Sequence, residues 1–265
     1  MTFKFGSLFA GIGGVDLGLE RAGMECAWQV EINPFCQKVL QKHWPNVQRY
    51  GDVREIGAIN LESVDLIAGG FPCQPHSVYG KRKGSEDDRD LWPEFYRIIC
   101  EIKPKWILAE NVPGLLSSES GRFFGRILRD LASSGYDAEW QCIPAAAFGA
   151  PHIRERIYII AYLRRKRDAD GLCQVIPNPN SKRRGKQYTS AIPDGPKIFN
   201  RSHEADGGFW TAEPGVGRVA DGISSRVDRL RGLGNAVVPQ IAEWIGKRIL
   251  ESDAPTSSLS GGMSS

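Results

Sequence analysis

Between residues 3 and 163, short apolar runs alternate with longer amphipathic stretches, and this alternation restricts the fold more than any other feature of the chain. "KFGSLFA" has the length and composition of a strand. "GGVDLGLERAG" then reads as a helix closed by Gly23, where a residue without Cβ can leave the helical region. "CAWQVE" is a second strand. "NPFCQKVLQKHW" opens as a helix, with Asn33 as its cap and Pro34 at the first helical position. "VDLIAGG" is an apolar run stopped by glycine, "LWPEFYRIICEI" is helical and "KWILAENV" is extended. "GRFFGRILRDLASSG" is a helix ended by Gly135, and "RIYIIAYL" is the last strong strand. Strands separated by helix-length segments predict an α/β fold, a mainly parallel sheet with helices on both faces.

The pattern fails from about 164 to 225, where Pro, Gly, Asn, Ser and charged residues dominate. Regular structure returns at "NAVVPQIAEWIGKRIL", with Val238, Ile241, Ile245 and Ile249 at helical spacing. The expected organisation is therefore a main domain over 1–163, a short irregular region over 164–225, a C-terminal helix within 226–251 that returns to the main domain, and a disordered tail over 252–265. No apolar run approaches the roughly 20 residues of a membrane span. The opening "MTFKFGSLFAGIGG" lacks the pattern of a signal peptide, so a soluble, cytoplasmic protein is expected.

The six cysteines form no CxxC pair and no His stands at ligand spacing from one, which argues against a zinc site or a disulfide framework. Net charge is only +3, but residues 164–186 hold eight Lys and Arg against Asp168 and Asp170. Such an island fits either a polyanion contact or a solvated loop.

In doubly wound sheets, ligands sit beyond the carboxyl ends of the strands. "FAGIGG", Glu31, "GD" at 51–52, "GGFPCQP" and "ENVPG" all fall there. The glycines of "FAGIGG" permit a tight turn that a ligand can approach closely. Glu31 ends the next strand about 20 residues later, where a carboxylate can bind a ribose diol. Asp52 is placed to accept from an adenine amino group. Together they indicate an adenosine-containing ligand; the alternative is a nucleotide-free sheet in which Glu31 caps a helix. Asp16 stands where the dinucleotide fingerprint requires its third glycine, so S-adenosylmethionine fits better than NAD, although spacing alone leaves the choice open.

"GGFPCQPHSVYGKR" holds Cys73 between Pro72 and Pro75, a stiff and open setting for a thiol. "FAGIGG", "GGFPCQP", "ENVPG", "RERIYII" and "RLRGLGNAVVPQIA" occur in an order and spacing that resemble the DNA (cytosine-5)-methyltransferase family, bacterial or phage type. The match covers roughly 5–163 and 226–250. The resemblance implies a Rossmann-like S-adenosylmethionine-dependent methyltransferase sheet with a small irregular recognition insert over 164–225. It implies Cys73 as the nucleophile that adds to C6 of cytosine, Glu110 as the acid at N3, Asn111 as a brace, Arg156 as the contact to O2 and Arg154 as its support. As two residues apart on one strand, the arginines are expected to point the same way.

By the same resemblance the cofactor is held by Phe9, Gly11, Gly13, Glu31, Ile32, Asp52, Val53, Phe71, Leu91, Asn235 and Ala236. The target base must leave the stack to meet a buried thiol. Ser77, Lys81 and Arg82 of the loop after Cys73, and Arg183 and Arg184 of the basic island, are the expected DNA contacts. The implied partner is duplex DNA, met by a monomer with no membrane association, with a cognate restriction endonuclease as a further partner. The alternatives are a tRNA cytosine-5 methyltransferase on the same motifs, a silent DNA-binding protein and an NAD-linked oxidoreductase. His76 and His152 depart from the family pattern, and 164–225 is short for a recognition region.

Overall fold

The computed structural model describes residues 2–72, 90–164 and 226–254. Seven strands form one sheet: β1 (Lys4–Leu8), β2 (Glu25–Val30), β3 (Gln48–Tyr50), β4 (Leu66–Gly69), β5 (Trp106–Asn111), β6 (Tyr136–Pro144) and β7 (Glu155–Leu163), in the order β3-β2-β1-β4-β5-β7-β6. The pairs β2/β3, β1/β2, β1/β4 and β4/β5 are parallel, as the alternation requires. β7 runs antiparallel to both β5 and β6. β6 lies outside the elements expected above. Its signal is a period-2 row, Tyr136, Ala138, Trp140 and Cys142, packed onto the core from a half-covered edge position.

The helices are α1 (Gly14–Arg21), α2 (Pro34–His43), α3 (Trp92–Ile102), α4 (Arg122–Ser133), α5 (Arg226–Asn235) and α6 (Pro239–Asp253). Asn33 caps α2 as expected, its Oδ1 accepting from the amides of Phe35 at 2.9 Å and Cys36 at 3.2 Å. The single C-terminal helix expected within 226–251 is two helices. The chain breaks at 236–238, and Pro239, which lacks an amide proton, starts α6 where that proton has no helical partner.

Alternate residues of the inner strands feed two cores. Ile107, Ala109, Ile157 and Ile159 face α3 and α4, meeting Phe95, Ile98, Phe123 and Ile127. Leu108, Tyr158 and Ile160 face the other way, toward Val15 and Leu19 of α1 and Ile241, Ile245 and Ile249 of α6. Each isoleucine of that α6 stripe is buried, which is worth about 1.5–3 kcal/mol apiece. α1 and α6 touch through glycine: a Cβ on Gly18 would lie 2.5 Å from the Ala242 Cβ, and one on Gly246 would lie 2.8 Å from the Ala22 Cβ.

Beneath the first turn, Asp16 is fully buried. It accepts from Ser7 Oγ at 3.0 Å and Gln29 Nε2 at 2.8 Å, and Gln29 in turn accepts from Arg49 Nε at 3.2 Å. This polar chain joins β1, α1, β2 and β3 under the three strand ends where the adenosine ligand was expected. Burial raises the Asp16 carboxyl to about 6. Among the described residues no helix is long and apolar enough to cross a membrane. Residues 165–225 and 255–265 lie outside the described residues, whereas Ser252 and Asp253, expected in a disordered tail, close α6.

Candidate active site

The chain leaves β1 through Phe9, Gly11 and Gly13, with φ of 54°, 58° and 85°. Glycine takes such angles freely. Phe9 does not, at a cost of about 1–2 kcal/mol, and it is held by stacking on Phe95 at 6.2 Å between ring centroids. Glu31 closes the turn: its Oε2 accepts from the Gly11 amide at 2.7 Å and its Oε1 from the Asn33 amide at 2.7 Å. Each oxygen keeps a second lone pair for a ligand hydroxyl. Ile32 beside it is 63% exposed, an apolar side chain with its face open to an aromatic ligand.

Asp52 accepts from both the amide and Nε of Arg54 at 3.0 Å, and that partner holds its carboxyl below the usual range. It is thus engaged locally, capping the turn Val53–Glu55. Val53 and Phe71 turn their side chains into the core, so they offer a ligand their backbone only. Leu91 precedes α3 as its cap residue, half-buried. Asn235 ends α5 with its side chain exposed, and Ala236 follows. Among them, Phe9 and Glu31 meet at the glycine turn, and Val237, next to Ala236, lies against Gly14.

At the other end of the same edge, Glu110 occupies the next-to-last position of β5, on the face shared with Leu108. Arg156 of β7 lies on that face too, diagonal to it, because Glu110 pairs with Tyr158. Its Nε reaches Glu110 Oε1 at 3.1 Å. Burial raises the Glu110 carboxyl to about 7, against the opposing pull of the Arg156 and Arg154 guanidinium groups. A carboxyl poised there donates or takes a proton near neutral pH. Gly70 leaves room for it, since a Cβ at that position would stand 2.7 Å from Glu110 Oε2. Tyr158 is buried beside it, and that burial, with a smaller push from the Glu110 charge, raises its hydroxyl above the usual tyrosine range.

Asn111 Nδ2 donates to the Phe71 carbonyl at 3.1 Å, and its Oδ1 accepts from the Val112 amide at 2.9 Å. These bonds tie Phe71, just before Pro72, to the end of β5. Cys73 lies outside the described residues, as do His76, Ser77, Lys81, Arg82, Arg183 and Arg184. Burial raises the Cys36 thiol to about 11 and also raises Cys26 and Cys142, which suits none of the three to nucleophilic attack.

The arginine pair departs from expectation. β7 begins at Glu155, so Arg154 precedes the strand and the period-2 rule does not apply to it. Its φ is 22°, and its Nη2 donates to the Ala236 carbonyl at 2.5 Å, while its charge still acts on Glu110 alongside that of Arg156. Sequence reasoning also passed over Asp16 as a support of the glycine turn. The available signal was an acid within the apolar stripe Val15–Leu19.

A family model described as C-5 cytosine-specific DNA methylase matches residues 3–208. The chain belongs to this family. The C-5 cytosine-specific methylase fold is a Rossmann-like α/β sheet of the S-adenosylmethionine-dependent methyltransferase type, and the strand order above is its frame here. Among curated methylases, the Type II methyltransferase M.Eco47II of Escherichia coli is 38% identical over 227 residues, covering 78% of this chain and 54% of that protein. The Type II methyltransferase M.NgoMIV of Neisseria gonorrhoeae is 39% identical over 163 residues, 61% of this chain and 52% of that one. A DNA modification methyltransferase encoded within an E. coli prophage superposes with a TM-score of 0.53 at 31% identity, over 61% of this chain and 47% of the other. The Entamoeba histolytica methyltransferase EhMeth gives a TM-score of 0.54 at 26% identity, over 62% and 54%. The chain spans about half the length of the curated relatives it matches.

Proposed function

We propose that the chain transfers a methyl group from S-adenosylmethionine to C5 of a cytosine flipped out of a specific duplex DNA sequence. The observation that carries this reading is Glu110, near-neutral and 3.1 Å from Arg156, at the strand end that also anchors the segment entering Cys73. Cytosine C5 is a weak nucleophile. The Cys73 thiolate forms a bond to C6, the C5–C6 π pair becomes available at C5, and Glu110 donates its proton to N3. Arg156 holds O2 while keeping the carboxyl oriented. Once the methyl group has passed to C5 and S-adenosylhomocysteine is left, the C5 proton goes to solvent, its electron pair reforms the C5–C6 double bond and expels the Cys73 thiolate, and N3 returns its proton to Glu110, which restores the ring.

The residues at the other strand ends fit the cofactor. Phe9 and Ile32 offer apolar faces to adenine, Glu31 has lone pairs for the ribose, and the open turn at Gly11 and Gly13 leaves backbone amides within reach of a carboxylate. When bound, the cofactor supplies the methyl group. The family description and the name of the prophage-encoded enzyme both specify DNA, which favours duplex DNA over tRNA. Residues 164–225 would serve as the target-recognition region, with the chain acting as a cytoplasmic monomer. The Type II names of the relatives suggest a cognate restriction endonuclease as partner.

The test is covalent trapping. Duplexes bearing 5-fluorocytosine in the methylated sequence should retain the full chain as a denaturant-stable adduct when S-adenosylmethionine is present, and Cys73→Ala should leave none. Adduct formation by Cys73→Ala would overturn the assignment of the nucleophile.

A further inference from the structure

Arg154 sits between the two halves of the site. Its backbone is pinned on one side, its carbonyl accepting from the Ala145 amide at 3.2 Å beside the Ile153 carbonyl at 2.8 Å. Its φ of 22° is a value that a residue with a Cβ keeps only where surroundings impose it. Its guanidinium then crosses to the Ala236 carbonyl at 2.5 Å, 82 positions later in the chain. The residue after Ala236 presses directly on the glycine turn: a Cβ on Gly14 would lie 2.5 Å from the Val237 carbonyl oxygen and 3.1 Å from its amide nitrogen. Two residues beyond Arg154, Arg156 meets Glu110.

One short path therefore runs from the turn at Gly13-Gly14, through Val237 and Ala236, to Arg154, and along β7 to Arg156 and Glu110. We propose that Arg154 is a positioning residue for the cofactor end of the site, acting through the 236–238 break, instead of a second contact to the cytosine. Its charge-assisted hydrogen bond fixes the break against α1, and so fixes the turn that faces the cofactor. This inference rests on the methyl-transfer reading above.

The experiment uses the full chain, unmethylated E. coli genomic DNA as methyl acceptor and S-adenosylhomocysteine as the binding probe. Arg154→Met should weaken S-adenosylhomocysteine about tenfold and raise KM for S-adenosylmethionine by a similar factor, within the usual range for coupled sites, with kcat at saturating cofactor within about threefold of wild type. Arg154→Lys, which keeps a charged donor, should recover a large part of that affinity. Arg156→Met should do the reverse, losing kcat while binding the probe normally. If Arg154→Met binds the probe as wild type does but loses kcat, Arg154 acts at the base and the inference is wrong. If Arg154→Met proves unstable, Arg154→Lys with unchanged kcat and a raised cofactor KM still supports it, and a lowered kcat alone overturns it. A wild-type chain that binds no S-adenosylhomocysteine would sink the methyl-transfer reading and this inference together, whereas a failure confined to the Arg154 variants sinks only the latter.

Discussion

Glu110 works against the stability of the protein that carries it. Its carboxyl is ordinary in the unfolded chain and is raised to about 7 in the fold, so the folded state binds the proton more tightly. Stability from this group is complete below the ordinary carboxyl range, about pH 4.5, and is lost as pH rises through about 7. Above that the charged, buried form costs on the order of 3 kcal/mol. Glu110→Gln is neutral at every pH and keeps an acceptor for Arg156. It should abolish methylation yet melt higher than wild type at pH 8, with the gap closing toward pH 5 in a thermal-unfolding series. Parallel curves across that range would show that the carboxyl is not buried as described. At this scale the motifs were largely readable. Glu110 and Asn111 stand at the end of β5, where the motif placed them. Arg154 was misread because a periodicity rule holds only inside a strand, and the sequence does not mark whether β7 begins one residue earlier or later.

The contact of α1 with α6 depends on how closely two backbones approach. Gly18→Ala would drive its methyl group onto the Ala242 Cβ at 2.5 Å and the Glu243 amide nitrogen at 2.8 Å, forcing the helices apart. The expected loss is about 1–3 kcal/mol, read as a lower midpoint in denaturant. Gly125 in α4 has nothing within 4 Å of such a methyl group, so Gly125→Ala should raise the midpoint, by up to about 1 kcal/mol. Equal shifts from the two substitutions would mean that helix propensity, not helix contact, governs both. Most elements could be read from the sequence because their apolar runs are long or their caps distinct, as with Asn33 and Pro34 at α2. β6 was not, since an edge strand buries one side only and its row of four is interrupted by Asp137, Glu139 and Gln141. The break between α5 and α6 was also missed: the amphipathic stripe runs on past Val238, and Pro239 is compatible with a helix start as well as with a continuing loop.

Over the whole molecule the charge is lopsided, and the basic residues of 164–186 give the chain its polyanion-facing character on the proposed reading. Each phosphate neutralised by Lys or Arg contributes about 0.9 to the slope of log affinity against log salt. Replacing Arg183 and Arg184 together by Gln should flatten that slope by up to about 1.8 in duplex binding, with weakening at low salt. An unchanged slope would remove both from the interface. The fold class was legible here because alternation of strands and helices leaves few packings open. The antiparallel turn of β7 was not, because apolar runs carry no direction.

α6 also imposes an order on how the protein is made. The last of the seven described strands ends at Leu163, but the stripe that covers the α1 face of the sheet, Ile241, Ile245 and Ile249, leaves the ribosome only after the 75 residues from 164 to 238. At roughly 5–20 residues per second that is an interval of several seconds. Throughout it the part of that face reserved for α6 lacks its own cover, and a holdase chaperone can bind there or another half-made copy can stick.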